Sequence, residues 1–425
     1  MKFFSALVFL ALLAQFTAAD YSNYKVLKAT IKNAKQYEAV KQLKLSTPEC
    51  QFWNELRNFG DSLDIMVPPG SLDIVKTQFA NNSIVFEEKI GNVQALIDRS
   101  YYHQVSRNVE EIMEWTEYHD LPVIERWMES LVAKFPRQVS LFSIGKSYQG
   151  RDIKGLRISY KYGNKAVFIE SNIHAREWIT SATITFFIDQ LLHSRRPAVR
   201  EIAENLDWYI IPVLNVDGFA YTHAHSNNRL WRKSRRPNEG YIEKCWGVDM
   251  NRNFDYLWMS AGASDDPCDE TFAGPKPLSE REIEHVQNYI VQFPDDYFKI
   301  YISLHSYGQY VLSPWGHTAE EFPANYDDML YAAKGFADAL YRRYQTVFTY
   351  GSSSTVLYKV SGSGKEWAYG FKNIPIPYTI ELRDKGKYGF LLPPEQILET
   401  AYEFLDGFVG LVRTCVERNI IPNWK

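Results

Sequence analysis

The first part of the chain alternates short apolar runs with amphipathic stretches. Helical spacing is found at residues 36–44 and again at 71–80, where Ser71 provides an N-terminal cap after the breaker Pro68-Pro69-Gly70. Apolar runs that predict strands surround these helices at residues 24–31, 51–56, 63–67 and 84–90. The resulting order, β-α-β-β-α-β, predicts a small α+β domain of the ferredoxin-like kind.

The longer remainder of the chain follows a different alternation. Apolar residues recur at helical spacing from Val123 to Phe135, and further helices are predicted at residues 181–193 and 397–417. Strands that are apolar throughout, as expected of strands buried on both faces, are predicted at residues 166–171, 208–214 and 299–304. This alternation predicts one large α/β domain with a mixed, largely parallel sheet, whose ligand sites lie where strands end.

The N-terminus has the pattern of a secretory signal peptide. Lys2 supplies the positive start, residues 3–13 the apolar core, and Thr17-Ala18-Ala19 a small-residue cleavage site. The alternative is a membrane anchor, but the run is shorter than the ~20 apolar residues that a membrane helix needs. We therefore predict a signal peptide over residues 1–19 and a secreted, extracellular protein that folds in an oxidising compartment.

Charge and cysteine content narrow the possible partners. The formal net charge is −4 at pH 7, which favours neither nucleic acid nor an anionic membrane as a partner.

Cys245 and Cys268 would enclose a modest loop and are the favoured disulfide, whereas the pairing of Cys50 and Cys415 remains open. Asn81, in the sequon Asn-Asn-Ser, is a possible glycosylation site.

A polar segment joins the two predicted domains. Arg99 and Arg107 flank a tyrosine-bearing polar stretch, which is the kind of linker that a trypsin-like protease cuts. We predict cleavage after Arg107, with Arg99 as the alternative. Residues 20–107 would then be an activation pro-domain and linker that inhibits residues 108–425, the catalytic domain. The alternative is a binding domain that the mature protein retains.

Three residues that follow or end apolar runs could bind a metal ion. His174 and Glu177 stand three residues apart just after the strand predicted at 166–171, and His305 follows the strand predicted at 299–304. Two histidines and one carboxylate, with one coordination position left open, are the ligands of a catalytic zinc site. Each motif also has an ordinary interpretation, namely a polar turn for the first two residues and a buried core histidine for the third.

Further charged residues lie in otherwise apolar or aromatic surroundings. Glu381 lies in the apolar run 378–382, where a carboxylate is costly unless it is paired or functional, so we interpret it as a candidate general base. The alternative is a buried salt bridge with Arg383 or another arginine. Two arginine-bearing segments, 228–233 and 249–253, could bind a carboxylate, which arginine contacts with two parallel bonds.

Taken in order, these motifs resemble a known family. The segments are His174–Trp178, 228–233, 247–254, 304–307 and 381–393. On them the chain resembles a secreted zinc metallocarboxypeptidase of the pancreatic A/B type in its pro-form, of the kind found as insect digestive enzymes. The resemblance spans residues 20 to 425. It implies an eight-stranded mixed sheet flanked by helices, a pro-domain that covers the cleft as an inhibitor, and a monomer with one Zn²⁺ that hydrolyses peptides and proteins at their C-termini.

The resemblance also assigns catalytic roles by position. It implies that His174, Glu177 and His305 bind zinc and that Glu381 is the general base that activates the attacking water. Arg232 resembles the residue that polarises the scissile carbonyl and stabilises the oxyanion, a role that often supplies the largest share of catalysis. Cys245 and Cys268 match the disulfide of the family. None of the catalytic positions is substituted, which argues against an inactive peptide-binding homologue.

Substrate-binding residues are implied in the same way. Asn251, Arg252 and Tyr358 resemble the group that binds the free C-terminal carboxylate of the substrate. Arg176 and Tyr307 resemble residues that line the approach for the preceding substrate positions. An exopeptidase must recognise a charged chain end, and fixed arginine and amide groups at the end of a cleft do so.

The chain departs from the A/B pattern at the base of the pocket for the terminal side chain. Relatives of the A type have an aliphatic residue there and those of the B type an aspartate, whereas this chain has Lys365. Ser353, Gly316 and Thr379 are predicted to form small walls of this pocket. A buried lysine at its base predicts a preference for C-terminal glutamate, with C-terminal aspartate as the second choice. In the alternative, Lys365 pairs with Glu366 or turns to solvent, and the enzyme releases aliphatic or aromatic residues as A-type enzymes do.

Overall fold

The computed structural model describes residues 20–55, 60, 62–101 and 113–424. The predicted signal peptide and Arg107, the preferred cleavage site, lie outside the described residues. Of the helices that are described, none is long and apolar enough to cross a membrane.

The N-terminal unit is a four-stranded antiparallel sheet with two helices. Asn33 caps the first helix by accepting a hydrogen bond from the Gln36 backbone. The strand order is β2-β3-β1-β4, as the ferredoxin-like pattern requires. Its elements are β1 Lys25–Thr30, α1 Ala34–Ser46, β2 Gln51–Phe52, β3 Ser62–Val67, α2 Leu72–Asn81 and β4 Val85–Ile90.

One predicted strand of this unit is much shorter than expected. Residues 51–56 are predicted to form it, but within the described part, residues 51–55, the strand covers only Gln51–Phe52, which pairs with β3. The chain leaves the sheet because Trp53 turns to the larger domain, where it packs against Phe390 with ring centroids 5.3 Å apart. Burial of this aromatic surface outweighs the few ladder hydrogen bonds that a longer strand would add.

The larger unit contains an eight-stranded mixed sheet in the order β11-β10-β12-β9-β7-β8-β6-β5. Strands β12, β9, β7 and β8 run parallel at its centre. On one side β10 pairs antiparallel with β12 and parallel with β11, and on the other side β6 pairs antiparallel with both β8 and β5. This confirms the predicted mixed α/β sheet. Its strands are β5 Val139–Lys146, β6 Asp152–Ile158, β7 Lys165–Ser171, β8 Leu206–Ile211, β9 Phe298–Ser306, β10 Tyr310–Ser313, β11 Thr349–Ser352 and β12 Ile376–Leu382.

Helices flank the sheet and share its hydrophobic core. The long helices α9 and α12 approach each other closely where Gly335 meets Gly410, because a Cβ at Gly410 would lie 2.3 Å from the Gly335 carbonyl oxygen. Helix α3, Val93–Tyr101, lies apart from them and packs in a separate cluster between the two units. The helices of the larger unit are α4 Leu121–Lys134, α5 Trp178–His193, α6 Pro197–Asn205, α7 Val216–Ala224, α8 Arg281–Ile290, α9 Tyr326–Tyr344, α10 Ser353–Val356, α11 Gly364–Gly370 and α12 Ile397–Glu417.

Helix α3 extends through the segment predicted to be the start of the linker. Arg99 lies inside this helix and forms an ion pair with Glu395, with Nη2 2.9 Å from Oε1. Tyr101 closes the helix by packing edge-on against Trp178 of the larger unit. Since a protease needs an extended segment with free backbone groups, the helix disfavours cleavage after Arg99.

The cysteines pair as favoured. Cys245 and Cys268 form a disulfide, while Cys50 and Cys415 are buried free thiols. Cys50 belongs to the core of the N-terminal unit and Cys415 to the core of the larger unit, so they do not meet.

Candidate metal centre and active site

His174 and Glu177 are held by a turn between β7 and α5. Asn172 begins the turn with φ 52°, a left-handed conformation that asparagine tolerates better than most residues. Its side-chain Nδ2 donates to the Glu177 carbonyl over 3.1 Å, and its backbone N–H donates to the Thr180 hydroxyl over 3.1 Å. Both ends of the His-x-x-Glu segment are therefore fixed by hydrogen bonds.

The three predicted metal-binding residues converge. Nδ1 of His174 lies 2.8 Å from Oε1 of Glu177, and Nδ1 of His305 lies 3.2 Å from Oε2 of the same carboxylate. All three residues are buried, and one donor atom from each lies within 4.8 Å of the others. His305 is part of β9 rather than following it, which corrects the prediction that the strand ends before it. Two imidazoles and a carboxylate with converging lone pairs fit a catalytic zinc ion.

The electrostatics of the group favour metal binding. Burial opposes ionisation of Glu177, but His174 and His305 more than compensate and lower the pKa of this carboxyl. Burial lowers the pKa of His305 to about 4, so this imidazole is neutral at pH 7 with a lone pair to offer. Nε2 of His174 lies 2.9 Å from Oδ1 of Asp249, which orients that ring.

Asp249 and Glu270 are two functional positions that sequence reasoning did not single out. Asp249 contacts Arg232 as well as His174, with Arg232 Nη2 2.6 Å from its Oδ2. The Glu270 carbonyl accepts from Arg232 Nε over 3.2 Å, and its carboxylate contacts Arg176 over 3.1 Å. No local signal marks either residue, since Asp249 is one acid within the arginine-bearing segment 249–253 and Glu270 is one of several acids at residues 265–270.

Arg232 lies beside the metal group. Its Nη1 is 3.2 Å from Nδ1 of His174, and only 11% of its side chain is exposed. Burial alone would lower the pKa of Arg232, but Asp249 and Glu177 raise it above its ordinary value, so the guanidinium stays charged. A fixed positive charge therefore borders the place where a substrate carbonyl would meet the metal.

Asn251 and Arg252 belong to a short helical turn, Met250–Arg252, that lies along the same cavity. The Asn251 Oδ1 accepts from the Gly364 backbone over 3.1 Å, and Arg252 Nε donates to the Gly262 carbonyl over 2.8 Å. Tyr358, which lies in the chain just after α10, also borders this cavity. The three residues predicted to bind the substrate carboxylate thus all line the cavity that holds the metal group.

Arg176 and Tyr307 have different surroundings. Tyr307 lines the cavity and donates from Oη to Oδ2 of Asp64 over 2.7 Å. Arg176 is buried with its guanidinium 4.0 Å from the ring centre of Phe390, and it is not among the residues that line the cavity. In this covered form, the approach is lined by Phe390 instead of Arg176.

Glu381 completes the cavity. It lies in β12 directly beside His305 of β9 and is not paired with Arg383, which contacts Glu399 and Glu403 instead. The alternative of a salt bridge with Arg383 is therefore wrong. Burial and the nearby Glu177 carboxylate raise the pKa of Glu381 well above its ordinary value.

Comparison with known proteins agrees with this site. Residues 124–407 match the family model described as zinc carboxypeptidase, and residues 27–100 match the model described as carboxypeptidase activation peptide. The chain belongs to the zinc carboxypeptidase family. The enzyme is therefore a metallocarboxypeptidase that uses zinc and is made with an activation peptide, which confirms the family predicted from the motifs.

Two insect relatives of this carboxypeptidase illustrate the match. It is 44% identical over 298 residues to a zinc carboxypeptidase of Simulium vittatum, which covers 70% of this chain and 96% of the relative. It is 36% identical over 396 residues to zinc carboxypeptidase A 1 of Anopheles gambiae, which covers 93% of this chain and 90% of the relative.

Solved structures share the fold of the carboxypeptidase. The structure of thrombin activatable fibrinolysis inhibitor matches with a TM-score of 0.85 at 29% identity, covering 93% of this chain and 100% of that chain. Carboxypeptidase A from Helicoverpa armigera matches with a TM-score of 0.82 at 26% identity, covering 93% of this chain and 98% of that chain. Both matches extend over the N-terminal unit and the larger domain.

Lys365 of the carboxypeptidase points into the cavity from the start of α11. Only 2% of the residue is exposed, and its Nζ donates to Oγ of Ser363 over 3.2 Å. Burial lowers the pKa of Lys365 to about 8. Glu366 is engaged elsewhere, since its Oε1 accepts from the backbone of Gly316 and contacts the His317 ring. Neither a Lys365–Glu366 ion pair nor a solvent-facing lysine is present.

The walls around Lys365 are partly polar. Ser353 and Thr379 are buried and border the cavity, and within the described residues their hydroxyl groups have no hydrogen-bond partner. Gly316 does not line the cavity as predicted, because it packs against Val360 and Glu366. The apolar part of the wall comes from Leu312, Leu357 and Val360.

The N-terminal unit covers the cavity of the carboxypeptidase, as expected of an activation pro-domain. Trp53 and Asp64 line the cavity together with residues of the metal group, and Trp53 packs edge-on against Tyr307. Asp64 is 3% exposed, and burial raises its pKa. Over the cavity, the cover therefore contributes an aromatic contact and one carboxyl that has little access to water, while an apolar cluster and ion pairs hold the two units together around it.

Proposed function

We propose that this zinc carboxypeptidase is a secreted zymogen whose mature form removes C-terminal glutamate from peptides and proteins, and aspartate less readily. The observation that carries this proposal is the burial of the Lys365 ammonium group in the cavity, where, among the residues that the structure describes, it donates a hydrogen bond to the Ser363 hydroxyl and forms no ion pair. A buried ammonium group without a carboxylate partner favours a substrate that supplies one.

The surroundings of Lys365 support a carboxylate ligand. The hydroxyl groups of Ser353 and Thr379 are buried and free to donate, and leaving them unpaired costs about 1–3 kcal/mol each. A glutamate side chain would bring two acceptor oxygens to these donors. A basic side chain would meet a like charge, and an aromatic one would leave all three polar groups unsatisfied, so both should be rejected. Aspartate is one methylene shorter and reaches the same donors less well.

The proposed catalytic roles follow from the geometry around the metal group. His174, Glu177 and His305 would hold the zinc ion, which when bound polarises a carbonyl and makes a water molecule more acidic. Glu381, with its raised pKa, would take a proton from the attacking water and deliver it to the leaving amine. Arg232 would stabilise the charge that develops on the carbonyl oxygen.

The substrate chain would be held at its free end. Asn251, Arg252 and Tyr358 line the cavity, and their amide, guanidinium and hydroxyl groups suit a terminal carboxylate. Tyr307 and Arg176 would contact the preceding residues once the pro-domain leaves, since Tyr307 is engaged with Asp64 in the zymogen.

The proposed processing begins with removal of the signal peptide, residues 1–19. A trypsin-like protease would then cut after Arg107, separating the pro-domain and linker (20–107) from a monomeric extracellular enzyme (108–425). The helical, ion-paired surroundings of Arg99 support Arg107 as the site. Mass spectrometry of the trypsin-activated protein would test it, and a mature N-terminus at Asn108 is expected.

The deciding experiment measures release of the terminal amino acid from matched peptides ending in Glu, Asp, Gln, Phe and Arg. Purified zymogen is activated with trypsin, and a chelator-treated sample is the control. Chelator-sensitive release of Glu in strong preference to Gln, Phe and Arg is expected. Best release of Phe would favour the A-type alternative, and no release from a zinc-loaded enzyme would favour an inactive peptide-binding homologue.

A further inference from the structure

Both histidines of the metal group turn the same ring nitrogen towards Glu177. Nδ1 of His174 and Nδ1 of His305 lie 3.1 Å apart and both contact the Glu177 carboxylate. Each Nε2 points away into the protein. His174 meets the Asp249 carboxylate there, but His305 has no carboxylate at this distance and instead meets the hydroxyl of Ser303, 2.8 Å from Nε2.

The position of the ring proton on His305 follows from these contacts. A nitrogen that binds a metal must offer its lone pair, so Nδ1 is unprotonated and Nε2 carries the proton of the neutral ring. Asn251 Nδ2 also lies 3.2 Å from Nε2, but an amide nitrogen cannot accept this proton. The acceptor is therefore the Ser303 oxygen, and the hydroxyl hydrogen of Ser303 must be donated to another group.

Glu170 occupies the place where that hydrogen can go. It lies in β7 directly opposite Ser303 in the parallel pairing of β7 with β9. Tyr301 Oη donates to its Oε1 over 3.3 Å, whereas its Oε2 is buried and, among the described residues, has no hydrogen-bond partner. The Ser303 hydroxyl is close enough to lower the pKa of this carboxyl, against the larger effect of burial. Glu170 is fully buried, and among the described residues it forms no ion pair. A carboxyl group is expensive in such a position unless it has a task.

We propose that Glu170 is a positioning residue of the zinc site. It accepts a hydrogen bond from the Ser303 hydroxyl and so keeps His305 in the tautomer whose Nδ1 binds zinc. The two metal-binding histidines then both depend on a buried acid, His174 on Asp249 directly and His305 on Glu170 through one hydroxyl. Burial raises the pKa of Glu170 to about 8. Both the acid and the carboxylate retain an oxygen that can accept from Ser303.

The inference rests on the proposed metal-binding role of His305, and zinc affinity tests it without any assay of activity. The full-length zymogen is titrated with zinc in competition with a chromophoric chelator. Glu170→Leu and Ser303→Ala should each weaken zinc binding about 10- to 100-fold, as loss of a group behind a metal-binding histidine does. Glu170→Gln keeps an acceptor oxygen and should bind zinc within about threefold of wild type on the same grounds.

A matched control separates positioning from general damage. Glu282 is another buried carboxyl group, which lies on α8, accepts a hydrogen bond from the Tyr148 backbone and does not line the cavity of the metal group. Glu282→Leu should leave zinc affinity unchanged. In the cobalt-substituted zymogen, the visible spectrum should change in Glu170→Leu and be restored in Glu170→Gln, because it reports the geometry of the ligands rather than the stability of the fold.

The outcomes distinguish a failure of the proposed role of Glu170 from a failure of the proposed metal group. Wild-type zinc affinity in Ser303→Ala and Glu170→Leu overturns the role of Glu170, as does an equal loss in Glu170→Gln and Glu170→Leu. If Glu170→Leu fails to fold, Ser303→Ala and Glu170→Gln still decide the question. Unchanged zinc affinity in His305→Ala would instead overturn the proposed metal group itself, which is a different failure.

Discussion

Glu381 and His305 lie directly opposite each other where β12 pairs in parallel with β9. Neighbouring residues on paired strands point to the same face of a sheet about 4.8 Å apart, so the pairing brings the candidate base next to a candidate zinc ligand. Glu381 also pairs with Tyr310 of β10 on its other side, which fixes its strand from both edges. The register of three strands therefore determines the spacing between base and metal.

Glu381→Gln tests this placement. The amide keeps the size of the side chain but cannot take a proton from water, so kcat should fall about 10²- to 10⁴-fold. Zinc content should stay at one ion per chain, because the metal group is unchanged. The measurement combines kcat with metal analysis of the activated variant. A variant that loses its zinc would show that Glu381 acts on the metal site and not as a base.

Lys365→Met should change which amino acid is released. Methionine fills a similar volume without charge, so kcat/KM for peptides ending in Glu should fall about 10²- to 10³-fold, as expected for loss of a buried charged hydrogen-bonding partner. Release of Leu and Met should rise. The control is Lys161→Met, which replaces an exposed lysine distant from the cavity. Unchanged preference in Lys365→Met would exclude Lys365 as the specificity residue.

The same lysine should make specificity dependent on pH. Burial lowers its pKa to about 8 from an ordinary 10.5, so the charged form that attracts glutamate dominates only below about pH 8. The ratio of kcat/KM for Glu over Gln should be highest there and fall up to tenfold per pH unit above it, since only the charge on Lys365 distinguishes these isosteres. Using a ratio cancels titrations common to both substrates. A flat ratio from pH 6 to pH 10 would contradict the prediction.

The contact between Asp64 and Tyr307 should make pro-domain release sensitive to pH. Burial is the largest influence on the pKa of Asp64 and raises it, as Asp384 also does. Tyr307, Lys28 and Lys89 lower this pKa, but by a smaller amount, so it is raised overall. A raised pKa means that the covered form binds a proton more tightly than the free pro-domain. The cover is therefore most stable below the ordinary pKa of aspartate and weakens as pH rises through the raised value.

Asp64→Asn provides the measurement. The amide accepts from Tyr307 but carries no charge to desolvate, so the cut pro-domain should dissociate more slowly at neutral pH, with little dependence on pH. Dissociation of the trypsin-cut complex is followed by size-exclusion chromatography at pH 5 and pH 8. Asp73→Asn, on an exposed turn of α2, is the control. Faster release of the Asp64→Asn pro-domain would mean that the charge itself holds the cover.

The disulfide should matter for activity as well as for stability. Cys245 and Cys268 are 23 residues apart, and the bond is expected to contribute about 3 kcal/mol by constraining the unfolded chain. Glu270, which contacts Arg232 and Arg176, lies two residues beyond it. The double variant Cys245→Ser/Cys268→Ser should unfold at lower urea concentration and lose kcat/KM at concentrations where it is still folded. Loss of stability with unchanged kcat/KM would show that Glu270 is held by other contacts.

Much of the fold and site could be predicted from local pattern. The apolar runs that became β7, β8 and β9 are buried on both faces, and α12 spans the predicted residues. The candidate metal-binding residues could be named because two histidines and one carboxylate suit a catalytic zinc ion and match the motifs of a known family, although each motif alone also fits a polar turn or a core histidine. The identity of Lys365 could be interpreted because a charge at a pocket base selects against like charges.

Only the tertiary structure decided what depends on distant segments meeting. Which way Lys365 points was set by Glu366 turning to Gly316 and His317, and the early end of β2 was set by Trp53 packing on Phe390. The partners of the metal group, Asp249 and Glu170, come from positions with no local signal, since any buried acid looks alike in sequence. Local periodicity records which side of an element is buried, whereas hydrogen-bond partners across a sheet are fixed by strand register, which a single sequence does not encode locally.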